Sequence, residues 1–80
     1  MPLFFLHLRD GDESVEDAAG TEFPSLLAAR AEAIKSAREI MAENLQQGRP
    51  LDHKQIEICD ANGHLIETVR FHDVLRATGE

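Results

Sequence analysis

The apolar positions of this chain follow two periods. Leu3 to Leu8 is apolar on both alternating faces except at His7, and Asp10-Gly11-Asp12 closes the run with a turn signal. A first strand over Leu3–Arg9 is predicted, with a short acidic partner near Glu13–Asp17 that Ala18-Ala19-Gly20 ends. The period then changes. At about 100° per residue, Leu26, Leu27, Ala29, Ala33, Ile34, Ala37, Ile40, Met41 and Leu45 fall on one stripe, with Glu32, Lys35, Glu39, Glu43 and Gln46 opposite. Ser25 is the expected N-cap of this helix, and Gly48 with Pro50 stops it after Gln47. Alternation returns in Gln55–Asp60 and Leu65–Phe71, joined by the turn Ala61-Asn62-Gly63-His64. Asp73–Ala77 reads as one more helical turn, with Val74 and Leu75 closing an end of the core.

The fold class that follows is α+β. The order is β-β-α-β-β, an antiparallel four-stranded sheet with one long amphipathic helix on one face and a short C-terminal helical turn, in a single domain over residues 1–80. The small residues in the middle of the helical stripe let the helix lie close on the sheet.

Side-chain alternation assigns the faces. Phe4, Leu6 and Leu8 form a uniformly apolar row that suits the helix, and Ile56, Ile58, Leu65, Val69 and Phe71 are expected to share that inner face. The outer face collects Leu3, Phe5, His7 and Arg9 with Glu57, Cys59, Ile66, Thr68 and Arg70. That face is mixed, whereas a sheet with one solvated face alternates cleanly. Burying Leu3, Phe5 and Ile66 would contribute about 1.5–3 kcal/mol each. A domain of this size nets only about 3–5 kcal/mol from its core. A homodimer through the sheet face or along an edge is the simplest use for the surplus, and Leu3, Phe5, His7, Ile66 and Arg70 are the candidate interaction face.

Composition narrows the function classes. One cysteine, Cys59, excludes an internal disulfide and does not make a structural zinc site. The apolar run Leu3–Leu6 is too short for a signal peptide or a membrane span, so no membrane association and a cytoplasmic location are expected. The net charge of −7 argues against nucleic acid, which requires clustered Lys and Arg. Asp10, Asp12, Glu13, Glu16, Asp17 and Glu22 form an acidic stretch with no intervening base. It reads as a solvated turn and edge strand, or as a docking surface for a basic protein partner.

At the level of motifs the chain resembles a family of small uncharacterised proteobacterial proteins, common in rhizobia and their relatives. The residues that carry the resemblance are Phe4-Phe5-x-His7-x-Arg9-Asp10-Gly11, Asp17-x-x-Gly20-x-Glu22-x-Pro24, Ala28-Ala29-Arg30-x-Glu32-Ala33 and Ile56-Glu57-Ile58-x-Asp60-x-x-Gly63. The chain departs at Glu67, where an aliphatic residue is expected on the inner face. That family is a domain of unknown function. The resemblance implies the fold and the location and supplies no catalytic residues. The run from Asp17 through Leu26 into the Ala-rich helix is also similar to HicB-type antitoxins, which carry a sheet-plus-helix domain.

Few residues suggest chemistry. His7, His53, His64 and His72 match no metal-ligand spacing, and Val15 and Thr21 stand where a calcium loop starting at Asp10 needs Gly and Glu. With strands one and four paired, His7 would meet His72 or Asp10. Cys59 reads as a small packing residue. Arg30 interrupts the apolar helical stripe. It is expected to snorkel along the sheet edge or to form a structural ion pair with an acid such as Asp10, Asp17, Asp60 or Glu67, with an anion-binding role as a further reading. Glu67 is the preferred partner because it also interrupts an apolar row. No catalytic residue and no cofactor are expected. The reading is a protein-interaction or assembly module, homodimeric through the sheet. The alternatives are an antitoxin-like partner of a small basic protein and a minor metal- or anion-binding protein.

Overall fold

The computed structural model describes residues 1–78. Its elements are β1 (Leu3–Asp10), β2 (Glu13–Val15), β3 (Thr21–Glu22), α1 (Leu26–Gln46), β4 (Lys54–Cys59), β5 (Leu65–Arg70) and α2 (Phe71–Thr78). All strand pairs are antiparallel, in the order β2-β1-β4-β5, with β3 also on β1. The alternation of the sequence accounts for the class and for four of the five strands. The fifth, β3, is two residues long and carries no alternation to read.

The helix forms as its caps dictate. Ser25 Oγ accepts from the Ala28 N–H at 3.2 Å. Beyond the other end, Gly48 takes a φ of 70° and the Arg49 N–H donates to the Asn44 carbonyl. Ala29, Ala33 and Ala37 are fully buried and Met41 nearly so, one residue every fourth position. That seam of small side chains sets the helix close on Phe4, Ile56, Ile58 and Val69.

The structure corrects four assignments. Leu65 is 57 % exposed because β5 carries a register shift: Ile58 faces Glu67 but Cys59 faces Leu65, so an extra residue is accommodated at Ile66. Phe71 is fully buried, yet it begins α2 instead of ending β5. Leu27 is exposed, and of the pair expected to close the core Val74 is buried while Leu75 stays exposed. A helix of eight residues replaces the single turn, and it rests on both α1 and the β4–β5 hairpin.

The pairing of β1 also differs from the idea that it lies beside the last strand. Its long partner is β4, with Phe5 opposite Cys59, His7 opposite Glu57 and Arg9 opposite Gln55. His7 therefore meets neither His72 nor Asp10; those two residues face Asp52 and His53 respectively.

Candidate functional site

The two long sides of the sheet are where backbone and apolar groups await partners, and the chain handles them differently. On the first side β1 is covered in instalments. β2 pairs with Leu8–Asp10 and β3 with Leu3–Phe4, which leaves a gap between them. Residues 16–20 cross that gap. Asp17 fills it with its carboxylate: Oδ2 accepts from the Leu6 N–H at 3.2 Å and Oδ1 from the Gly20 N–H at 3.0 Å. The side chain thus stands in for a missing strand residue.

Gly20 completes the crossing. Its φ is 72°, and a Cβ there would lie 2.9 Å from Phe5 Cε2, 3.0 Å from the Phe4 carbonyl oxygen and 3.2 Å from Leu3 Cδ1. Only glycine combines that backbone conformation with that close approach. Leu3 and Phe5 are accordingly half-buried, and the Phe5 and His7 rings stack with centroids 6.2 Å apart. His7 Nδ1 accepts from the Asp17 N–H at 3.0 Å and also lies 2.8 Å from Glu16 Oε2. One nitrogen cannot accept from the first and donate to the second at once, so the ring's protonation state selects between these neighbours. Asp17-x-x-Gly20 is therefore the device that ties this crossing down, a role that spacing alone does not reveal.

On the opposite side lies β5, whose only strand partner among the described residues is β4. At its start Leu65 and Ile66 are 57 % and 41 % exposed. Arg70, at its end, is exposed. Of the five residues of the candidate interaction face, Leu3, Phe5 and His7 thus lie together under residues 16–20, whereas Ile66 and Arg70 share the other side of the sheet.

Arg30 and Glu67 are brought together. Arg30 Nε and Glu67 Oε2 are 2.5 Å apart, across the step from α1 to β5. Their side chains are 49 % and 34 % exposed, so the pair is a surface one. Its contribution is about 0–1 kcal/mol, short of the value for a buried pair.

The remaining polar residues have local roles. Asp60 Oδ1 accepts from the N–H groups of His64 and Asn62, both at 2.9 Å, and closes the β4–β5 turn. The His64 bond lowers its carboxyl below the ordinary carboxylate range, against an opposing cost of burial and with help from Asn62. Burial raises the Cys59 thiol, and the carboxylates of Glu57, Asp60 and Glu16 raise it further. A raised thiol carries less thiolate and is a poor nucleophile. Each histidine has an acid beside it: His7 with Glu16, His53 with Asp10, His64 with Asp60 and His72 with Asp52. Among the described residues no group of three His, Cys, Asp or Glu side chains is placed to hold a metal ion. No described helix is long and apolar enough to cross a membrane.

Sequence reasoning missed one apolar surface. Met41 and Leu45 of α1, Leu51 of the loop before β4, and Leu75 of α2 line a shallow cleft at the end of the helical seam. The signal was present in Leu45 and Leu75, but period alone assigns both to the core. Nearby on α1, the side chain of Asn44 is buried and its Nδ2 has no hydrogen-bond partner among the described residues.

The model of the domain of unknown function DUF6894 matches residues 3–72, and the chain belongs to that family. No curated protein and no solved structure matches it.

Proposed function

We propose that this member of the DUF6894 family is a non-catalytic protein-interaction module whose partner is a second copy of itself, joined through the free side of β5. The observation that carries this reading is the contrast between the two sides of the sheet. An open strand edge with apolar side chains is a template for another strand, and proteins that stay monomeric blunt such edges. Here the β1 side is covered by β2, Asp17 and β3. The β5 side holds a six-residue strand without proline and with Leu65 and Ile66 exposed. Antiparallel pairing of two β5 strands would continue the sheet across a two-fold axis and bring both pairs of apolar side chains out of water.

The magnitude argues for a modest dimer. Leu65 and Ile66 are already about half buried, so covering them in both copies is worth about 3–6 kcal/mol, each side chain gaining half of the ~1.5–3 kcal/mol that a fully exposed one gains. Association itself costs about 4–15 kcal/mol, so strand pairing must supply part of the balance. A dissociation constant in the micromolar range is expected, equivalent to about −8 kcal/mol at 1 µM. Localisation in the cytoplasm of a bacterium, as the resemblance to rhizobial-type proteins suggests, belongs to the same proposal.

A second reading rests on the acidic side. Asp12, Glu13, Glu16 and Glu22 are all exposed along the β1–β2 turn, β2, the crossing and β3. They would suit a small basic protein, as in an antitoxin-like pair. Sedimentation equilibrium of the purified chain separates the readings. A monomer–dimer equilibrium between about 1 and 100 µM favours the homodimer. A monomer throughout that range, together with a basic protein co-purifying from the native host, favours the other.

A further inference from the structure

We propose that the cleft between α1, β5 and α2 binds a short aliphatic monocarboxylate. It has a volume of about 250 Å³. Its rim carries Arg30 and Arg38 from α1 and Arg70 from the end of β5, so three of the chain's eight Lys and Arg residues line one cleft. That concentration stands out in a chain with a net charge of −7. The apolar part of the lining comes from Ile34, Val69, Val74 and Ala77.

The charge balance at the cleft is positive. Arg30 is held by Glu67, and Asp73 of α2 lies on the same rim. Among the described residues neither the Arg38 nor the Arg70 side chain forms an ion pair or a hydrogen bond. Among the described residues three guanidinium groups against two carboxylates leave one positive charge, which a monoanion matches and a dianion overshoots.

The lining selects the rest of the ligand. Guanidinium groups accept carboxylate and phosphate alike through forked N–H donors. Inorganic phosphate would leave the apolar wall in contact with water, and a neutral alkyl compound would leave the arginines without a partner. A carboxylate on an alkyl chain uses both surfaces. The volume is below the roughly 300–1,000 Å³ of clefts that hold drug-sized molecules, which restricts the chain to a short one.

The test is an NMR titration of the isotope-labelled chain with hexanoate, hexanol and inorganic phosphate, followed by the same titrations of Arg38→Ala. Arg38 is an exposed residue of α1, so this variant leaves the buried core intact. Hexanoate should move the amide signals of Arg30, Thr68 and Val74 saturably, with a low-millimolar dissociation constant, and Arg38→Ala should weaken it by about tenfold. Hexanol and phosphate should each bind at least about tenfold more weakly than hexanoate. Shifts that do not saturate, an equal response to hexanol or phosphate, or hexanoate binding unchanged in Arg38→Ala would each overturn the proposal.

Discussion

On the β1 side of the sheet, β2 and β3 pair with the strand, the N–H of Leu6 is bonded by a carboxylate, and Leu3 and Phe5 lie against Gly20. On the β5 side, Leu65 and Ile66 face outward beside a register shift, and no described strand lies beyond them. Both sides belong to one small sheet made of similar residues, so propensity does not explain the contrast. What differs is how the chain leaves each strand. After β1 it doubles back, crosses the strand's own edge and returns through β3; after β5 it turns at once into α2, which packs on the helix face. The first exit uses up an edge, and the second leaves one available.

Substitutions on the covered side break the comparison most severely. Gly20→Ala places a Cβ 2.9 Å from Phe5 Cε2 in a left-handed backbone conformation, and should cost about 3 kcal/mol in urea unfolding. Gly11→Ala is the control. It shares the positive φ but meets nothing within 4 Å, so only a backbone cost of about 1–2 kcal/mol is expected. Equal losses at the two positions would mean that the crossing is not held by close contact. Next comes Asp17→Ala, which removes the acceptor of both the Leu6 and the Gly20 N–H. The loss should be about 2 kcal/mol, with faster hydrogen exchange at Leu6 than at Ile58. A smaller effect is expected on the open side: Arg30→Met removes the exposed pair with Glu67 and should change the unfolding free energy by less than about 1 kcal/mol.

Much of this was legible from residue order. The Ala29-Ala33-Ala37-Met41 seam, the Ser25 cap, the inner rows of β1 and β4 and the pairing of Arg30 with Glu67 all follow from period and from breaks in period. Two of the misses have related causes. Leu65 and Phe71 were assigned by strict alternation, which a one-residue register shift and an early helix start both defeat. The crossing at Asp17 and Gly20 was invisible for a different reason. A carboxylate that replaces a strand residue leaves no periodic trace, and an acid before glycine reads as a turn. Its motif could be quoted from the sequence, but its work depends on Leu6 and Phe5, residues more than ten positions away.

The central claim is that β5 is the side at which two copies meet, and sedimentation equilibrium of the wild-type chain beside Leu65→Lys/Ile66→Lys tests it most directly. Both side chains are exposed, so at concentrations where the wild type is monomeric the double variant should keep its unfolding midpoint while placing charge on the open edge. The account predicts a reversible dimer for the wild type at tens of micromolar, roughly the range set by the burial argument, and a monomer for the variant at the same concentrations. A wild-type monomer up to about 100 µM, or a dimer that persists unchanged in the variant, would contradict it.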